Sequence, residues 1–471
     1  MQKSVLSEIV RSLSKKEIRD LQKWLQSSAH NQRQDVVRLF DYLTKTLTNS
    51  DESAEKEVAW QVVFPAQPYD DAYMRQVMYF LLKAIEEYLL FVDYTSDRVQ
   101  YQIGLTRIYR RRKLEKAYAQ AHRLGVQNLE GQPLRNNYYL LNKFFLEQEE
   151  SEWKMTNAQN APVNLQETGD ALEKWFAVEK LQICNEMLAH RNIYSTASYD
   201  MGLLEDTLSY FKRKNFLAEP AIGIHYYAYM SITDPVEEQF FEQFENLILN
   251  SSERSFNDTE VRTFYMTALN YCTGKVNQGI LDYCYRALVF YRSGMEKGIL
   301  LENNTINRYI FGNAVAFAVK VGEFDWAEKF VYDFQHLLEE KYCISTVNFN
   351  LSRIYFEKGD YDKAQELLTR FEYDYMYLNI IAKTMLLKIY YEKEETDALE
   401  SLLESMRIYL QRKEALDPTR KVAYKNLISL MKKLVNRNPY SKSQSDKIRN
   451  LIETTQPLAE KEWLLRQINK K

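Results

Sequence analysis

A basic segment is the part of this sequence whose residue types could do chemistry with an anion. Five cations fall within residues 107–113: Arg107, Arg110, Arg111, Arg112 and Lys113. With the adjacent Tyr109 they could hold phosphates and stack a base, which is the hypothesis of a nucleic-acid-binding regulator. Arginines also suit the C-terminus of a helix, where cations complement the helix dipole. The sequence favours this second interpretation, so nucleic acid is an unfavoured partner.

Residues that could carry catalysis do not fall into known patterns. The sequence has no HExxH pair, phosphate-binding glycine loop, dinucleotide-binding fingerprint or nucleophile elbow. Its five histidines include no pair four residues apart that would indicate metal ligands. Its four cysteines lack CxxC spacing and lie in apolar or aromatic helical stretches, which suits reduced thiols. We therefore expect no enzyme activity, no metal and no cofactor.

Composition and charge narrow the class of protein. The chain has 13 glycines and 9 prolines in 471 residues, too few turn residues for a β-rich fold, which predicts an all-α protein. A formal net charge of −3 argues against a protein that coats nucleic acid. Residues 98–123 and 419–471 are basic, whereas residues 234–260 are acidic. These blocks could serve self-association or a charged partner, although solvated helix faces are the favoured explanation.

Membrane and export signals are missing from the sequence. No 18 apolar residues run together, and the first residues lack the apolar core and cleavage site of a signal peptide. We therefore expect a cytoplasmic protein that does not enter a membrane.

The elements that would position these side chains are predicted to be helices arranged in four blocks. Residues 1–95 predict an N-terminal helical domain, and residues 96–300 predict an array of degenerate helix pairs. Residues 301–415 predict more regular pairs. Residues 416–471 predict closing helices that cap the last pair, as the end of an array requires.

Two features of the first block predict local structure in more detail. Ser14 followed by Glu17 predicts a capping box at the start of a helix. The segment that follows Pro68 is apolar on most helical faces, so we expect a helix buried in the middle of a bundle.

An internal repeat is visible in the third block. Two segments share a turn glycine, an aromatic residue and a small residue in the same order, 37 residues apart: Gly322, Phe324 and Ala327, then Gly359, Tyr361 and Ala364. A third copy has Ala398 at the small position and Lys393 where the glycine should be. Glycine allows the positive φ of a tight turn, and a small residue lets two helices approach closely.

The middle copy resembles the tetratricopeptide repeat. Five residues occupy the motif's Leu, Tyr, turn Gly, aromatic and small positions: Leu351, Tyr355, Gly359, Tyr361 and Ala364. The resemblance covers about residues 308–412 and departs from the motif at Val315 and Leu386, where a small residue is preferred. It implies an irregular right-handed α-solenoid of antiparallel helix pairs. The overall layout, opening with "LSKKEIRDL", also resembles a bacterial helical-repeat family without an assigned function.

The tetratricopeptide resemblance implies that the first helix of each pair lines a concave peptide-binding groove. By position it selects Tyr309, Phe349, Arg353, Phe356, Lys383 and Tyr390. Mixed aromatic and cationic residues would suit a peptide with an acidic or carboxylate end. We therefore expect a non-enzymatic scaffold or adaptor that docks an unidentified protein or peptide segment.

Aromatic content bears on the same hypothesis. The 35 tyrosines are the strongest compositional signal of the chain. Their rings could fill the boundaries between helix layers with the hydroxyl toward water, or they could line a groove that contacts a peptide. The packing interpretation is the favoured one.

Overall fold

The structure is a computed structural model that describes residues 4–49, 55–157, 162–194, 196–250, 255–369, 376–412, 417–438 and 440–469. These ranges contain 23 α-helices, two single 3-10 turns and one short hairpin, in which Leu301–Glu302 pairs antiparallel with Thr305–Ile306. The prediction of an all-α protein is confirmed. None of the helices in the described ranges combines the length and apolarity needed to cross a bilayer.

The chain forms two compact units, Met1–Ile222 (unit 1) and Gly223–Lys471 (unit 2). The predicted block boundaries near residues 95 and 300 stay predictions, and the boundary at 415 lies outside the described residues. Unit 1 contains α1 (Val5–Ser12), α2 (Lys15–Gln26), α3 (Gln34–Asn49), α4 (Lys56–Val63), α5 (Asp71–Ser96), α6 (Arg98–Arg111), α7 (Glu115–Glu130), α8 (Asn137–Asn157), α9 (Leu165–Ile193), α10 (Leu204–Arg213) and the start of α11 (Pro220–Thr233).

Unit 2 begins within α11, and its remaining helices are 9 to 20 residues long. They are α12 (Glu238–Asn250), α13 (Asp258–Asn277), α14 (Asp282–Glu296), α15 (Arg308–Lys320), α16 (Phe324–Phe334), α17 (Glu340–Lys358), α18 (Tyr361–Thr369), α19 (Met376–Glu392), α20 (Thr396–Arg412), α21 (Pro418–Val435), α22 (Lys442–Thr454) and α23 (Lys461–Asn469).

Helices α1 to α5 share one hydrophobic core, to which Leu21, Phe40 and Ile85 contribute fully buried side chains. The predicted capping box is confirmed: the Glu17 amide donates to Ser14 Oγ at 3.2 Å, and the Ser14 amide donates to Glu17 Oε2 at 2.7 Å. Both bonds satisfy amides that the start of α2 would otherwise leave unpaired.

Helix α5 is buried on one face only, so the prediction of a helix enclosed by a bundle is wrong. Its inner face packs against α1, α2, α3 and α4, but Leu90 on its outer face is 71% exposed. A concavity of about 690 Å³ lies beside this end of α5, lined by apolar side chains and three carboxylates: Glu17, Glu86, Leu89, Leu90, Val92, Asp93 and Ser96. Helix α5 therefore has more apolar surface than its neighbouring helices cover.

Consecutive helices of unit 2 pack as pairs, and successive pairs also pack on each other. Helix α15 contacts α14, α16 and α17, and α17 contacts α15, α16, α18 and α19. The first helices of three successive pairs, α15, α17 and α19, therefore lie side by side.

The repeat spacing predicts the turns within two of these pairs correctly. Gly322 and Gly359 have φ of 78° and 81°, in the left-handed region. The amide that follows Gly359 donates back to Tyr355 O at 2.9 Å, which closes the end of α17. Ala327 and Ala364 are fully buried where the second helix meets the first.

In the third copy of the repeat, the turn residue and the buried residue each lie one position later than the sequence predicts. Glu394, and not Lys393, takes the left-handed conformation, with φ of 61°. The Glu395 amide donates to Tyr390 O at 2.9 Å, the same bond that closes α17. Leu399, and not Ala398, is the buried residue of the following helix. Without a glycine, no residue type marks this turn in the sequence.

Gly359→Ala is expected to lower the free energy of unfolding by about 1 kcal/mol, because a Cβ disfavours the left-handed conformation. The space that this Cβ would enter is open, so the cost is one of backbone conformation. Urea denaturation followed by circular dichroism measures it. Gly274→Ala is the control, since Gly274 lies inside α13 with open space around it, and alanine there should stabilise by about 0.5–1 kcal/mol. Equal stability of Gly359→Ala and wild type would contradict the role given to this turn.

Candidate functional site

A candidate for ligand contact is a cleft of about 370 Å³ in unit 2. Its walls are α13, α15, α17 and α19, the first helices of four consecutive pairs, and Glu460 contributes from the segment before α23. The lining residues are Thr273, Val276, Asn277, Asn313, Ala316, Phe317, Val319, Lys320, Arg353, Phe356, Glu357, Ile381, Met385 and Glu460. We call this concavity the α13–α19 cleft.

Helical periodicity explains why these side chains share one surface. On α15, Asn313, Phe317 and Lys320 follow each other at intervals of four and three residues, which places them on one face. On α17, Arg353 and Phe356 are three residues apart. The other faces of both helices are buried in the core of unit 2. Packing of those faces therefore turns the lining residues toward the cleft.

The cleft combines apolar and charged groups. Phe317 and Met385 are buried and supply apolar surface, whereas Lys320 and Asn313 are exposed and Arg353 is half-buried. Lys320 is exposed, so its ammonium group is accessible to an anionic ligand, and the carboxylates of Glu357 and Glu460 also line the cleft. An apolar surface with a few polar groups that fix orientation is the usual composition of a ligand site.

Two of the six residues selected for the groove, Arg353 and Phe356, line the α13–α19 cleft. Phe349 is only 3% exposed and belongs to a core cluster with Ala364 and Leu386. The Arg353 guanidinium lies 5.1 Å from the centroid of the Phe349 ring. Phe349 is therefore beneath Arg353, where a docked peptide would not reach its ring.

The other three selected residues lie outside this cleft. Tyr309 is exposed at the start of α15, with the Arg308 guanidinium 5.0 Å from its ring centroid. Lys383 has its ammonium 5.9 Å from the Tyr409 ring centroid. Tyr390 lines a separate concavity of about 480 Å³. Arg353 and Phe356 thus line the cleft and the other four selected residues do not, and the peptide-binding groove stays a prediction.

Several lining residues were not singled out from the sequence. Lys320 and Phe317 lie on α15, shortly before the turn at Gly322. Counting back from that glycine along the repeat could have identified them. Asn277 lies on α13, before the first copy of the repeat, and Glu460 lies more than 100 residues after Arg353. For these two the sequence carries no local signal, because only the packing of the chain brings them to the cleft.

The basic segment of unit 1 divides into two parts with different surroundings. Glu149 of α8 is 3% exposed and accepts from Arg107 Nε at 2.8 Å and Arg110 Nε at 2.7 Å. Arg110 also contacts Glu152 at 2.6 Å. The hydrogen bond to Glu149 raises the pKa of Arg110. These two arginines hold α6 to α8.

The rest of the basic segment is exposed. Arg111 lies in the last turn of α6, Arg112 is the C-cap residue, and Lys113 follows with φ of 57°. The arginine run thus ends a helix, the position that the sequence favoured. These three cations face solvent.

Metal ligands and thiols are two kinds of group that could serve catalysis, and the described ranges show where both lie. Among those residues, no set of three His, Cys, Asp or Glu side chains is placed to hold a metal ion. Cys184, Cys272 and Cys284 are buried, and burial raises the pKa of Cys272 to about 12. Thiols of this kind are poor nucleophiles near neutral pH.

No protein-family model, curated protein or solved structure matches this chain. Its function is therefore inferred from the geometry of its own residues.

Arg110→Met is expected to lower the free energy of unfolding by about 2–3 kcal/mol, because the buried Glu149 carboxylate keeps only one of its two arginines. Arg111→Met is the matched control, since Arg111 is exposed, and its effect should stay within about 0.5 kcal/mol. Urea denaturation of both variants makes the comparison. Equal losses would contradict the division of the basic segment.

Proposed function

We propose that this protein is a non-enzymatic scaffold or adaptor that docks a protein or peptide segment in the α13–α19 cleft. The observation that carries the proposal is that one continuous cleft is lined by the first helices of four consecutive pairs. In the same proposal, unit 2 is an irregular right-handed, tetratricopeptide-like array whose concave surface contains the cleft.

The residues of the cleft indicate what kind of segment it takes. An apolar side chain of the ligand packs against Phe317, Phe356 and Met385, and an acidic side chain or terminal carboxylate points toward Lys320 and Arg353. The side chain of Asn313 can both donate to and accept from a peptide backbone.

The size of the cleft sets the length of the segment. Helices packed side by side lie about 8–10 Å apart, so α15, α17 and α19 span about 20 Å, the length of about six extended residues. A contact of this size is small for a protein interface, and we expect a dissociation constant of the order of micromolar.

The setting of the chain is part of the proposal. The free cysteines Cys184, Cys272, Cys284 and Cys343 suit a reducing environment, and we place the protein in the cytoplasm on that ground.

Nucleic-acid binding is the alternative function, and it now depends on fewer groups. Arg107 and Arg110 are engaged by Glu149, which leaves Arg111, Arg112 and Lys113 for phosphate contact. Each phosphate contact adds to the salt dependence of binding. A salt titration with labelled single-stranded RNA and duplex DNA tests this alternative, and Arg111→Gln with Arg112→Gln should abolish binding if it is correct.

The docking proposal predicts that octapeptides selected from a random displayed library bind the full chain through the cleft. Lys320→Gln and Arg353→Gln should each weaken the selected peptide about fivefold to tenfold, because each removes a charge-assisted contact. Fluorescence anisotropy with the labelled peptide measures this.

Lys329→Gln is the matched control, because Lys329 lies on α16 outside the cleft and is 74% exposed, and it should leave affinity unchanged. Selected peptides whose affinity is the same for wild type, Lys320→Gln and Arg353→Gln would refute docking in this cleft.

A further inference from the structure

A largely buried cation, Lys388, lies next to the α13–α19 cleft. Lys388 of α19 donates from Nζ to Glu460 Oε2 at 2.5 Å, and its side chain is 13% exposed. The same ammonium lies 5.8 Å from the ring centroid of Phe356, a lining residue of the cleft, and 5.8 Å from that of Trp463. Glu460 lines the cleft and pairs with Lys388, which contacts the lining residues Glu460 and Phe356 but does not line the cleft itself.

The backbone holds Glu460 in an uncommon conformation. Its φ is 59°, in the left-handed region that residues other than glycine seldom adopt. Its carbonyl accepts from the Leu464 amide at 3.0 Å, which starts α23. Glu394 adopts the same conformation at a turn between two helices, and at both places the surrounding contacts must hold the residue in it.

Hydrogen bonds join the segment before Glu460 to α21, and Leu458 and Ala459 of this segment also pack against the hydrophobic core of that region. Asn426 Nδ2 donates to Pro457 O at 2.9 Å, and the Ala459 amide donates to Ala423 O at 3.3 Å. Glu460 is the residue of this segment that lines the cleft, and it is joined to α19 by its ion pair with Lys388. Rotation of one side chain at Glu460 is enough to break it.

We propose that Lys388 is a further cation subsite of the α13–α19 cleft, and that Glu460 masks it in the free protein. An acidic group of the docked segment exchanges with the Glu460 carboxylate on Lys388. This inference rests on the proposed docking function. It assigns an acidic peptide as the class of ligand and the Glu460 carboxylate as an internal competitor for Lys388.

The exchange is physically balanced. A largely buried ammonium needs a counter-charge, and both the internal carboxylate and a ligand carboxylate satisfy that need. Because the ligand must first displace Glu460, its apparent affinity is lowered by the fraction of molecules in which Lys388 is unmasked. Removing the internal carboxylate should therefore strengthen binding.

The test uses the full chain and a fluorescein-labelled nonapeptide of three Ser-Leu-Glu repeats, with three Ser-Leu-Gln repeats as the neutral probe. Glu460→Gln keeps the shape of the side chain and should tighten binding of the acidic probe about fivefold to tenfold without changing the neutral probe. The gain should be absent from the double variant Glu460→Gln, Lys388→Met, since it requires the ammonium. Anisotropy titrations at two salt concentrations measure both effects.

Two further variants keep the test decisive. Glu462→Gln removes an exposed carboxylate two residues away and should leave affinity unchanged, which controls for net charge. Glu460→Asp retains the charge but shortens its reach to Lys388, and it should also tighten binding of the acidic probe. It replaces Glu460→Gln if that variant does not fold.

The outcomes separate this inference from the proposed function. If wild type binds the acidic probe and Arg353→Gln weakens it, but Glu460→Gln and Glu460→Asp change nothing, the masking is refuted and docking stands. An equal gain with the neutral probe, or with Glu462→Gln, also refutes the exchange. If neither wild type nor Glu460→Gln binds the acidic probe, and library selection yields no peptide that depends on Arg353, both proposals fail.

Discussion

The reversal of the chain by a single left-handed residue is the constraint on which the rest of unit 2 depends. At Gly322, Gly359 and Glu394 the last turn of one helix closes on itself, and the next helix starts two residues later. A buried side chain one turn into that helix, Ala364 in the second copy, sets how closely the two helices approach. Because the same geometry recurs, α15, α17 and α19 lie side by side. The cleft is a consequence of this repetition.

Placing the candidate site on helix faces has physical consequences. The lining residues of α15 and α17 recur every three or four positions, and the opposite faces of these helices are locked in the core. Side chains on such elements are held more firmly than side chains on loops. The exception is Glu460, which comes from a short connection with a left-handed backbone. The proposed docking function thus combines a rigid surface with one residue whose contacts can exchange.

Much of the fold could be predicted from local patterns, and particular residues show where that stops. The capping box of Ser14 and Glu17 and the turns at Gly322 and Gly359 follow from neighbours in sequence. The third turn was predicted one residue too early, because Glu394 adopts a left-handed conformation that is uncommon for its residue type. The exposure of Leu90 was missed because apolar periodicity shows only which residues could be buried. The number of neighbouring helices decides which of them are buried.

The sequence by itself determined the helices, the spacing of the turns and the presence of Arg353 and Phe356 on the first helix of a pair. These properties depend on hydrogen bonds and side-chain contacts within a few residues of one another. Only the tertiary structure decided that Arg107 and Arg110 share a buried carboxylate while Arg111 stays exposed, and that Phe349 lies beneath the cleft. Only it brought Glu460 to Lys388, 72 residues apart. Such contacts join residues distant in sequence, and helix packing, which no local pattern encodes, selects them.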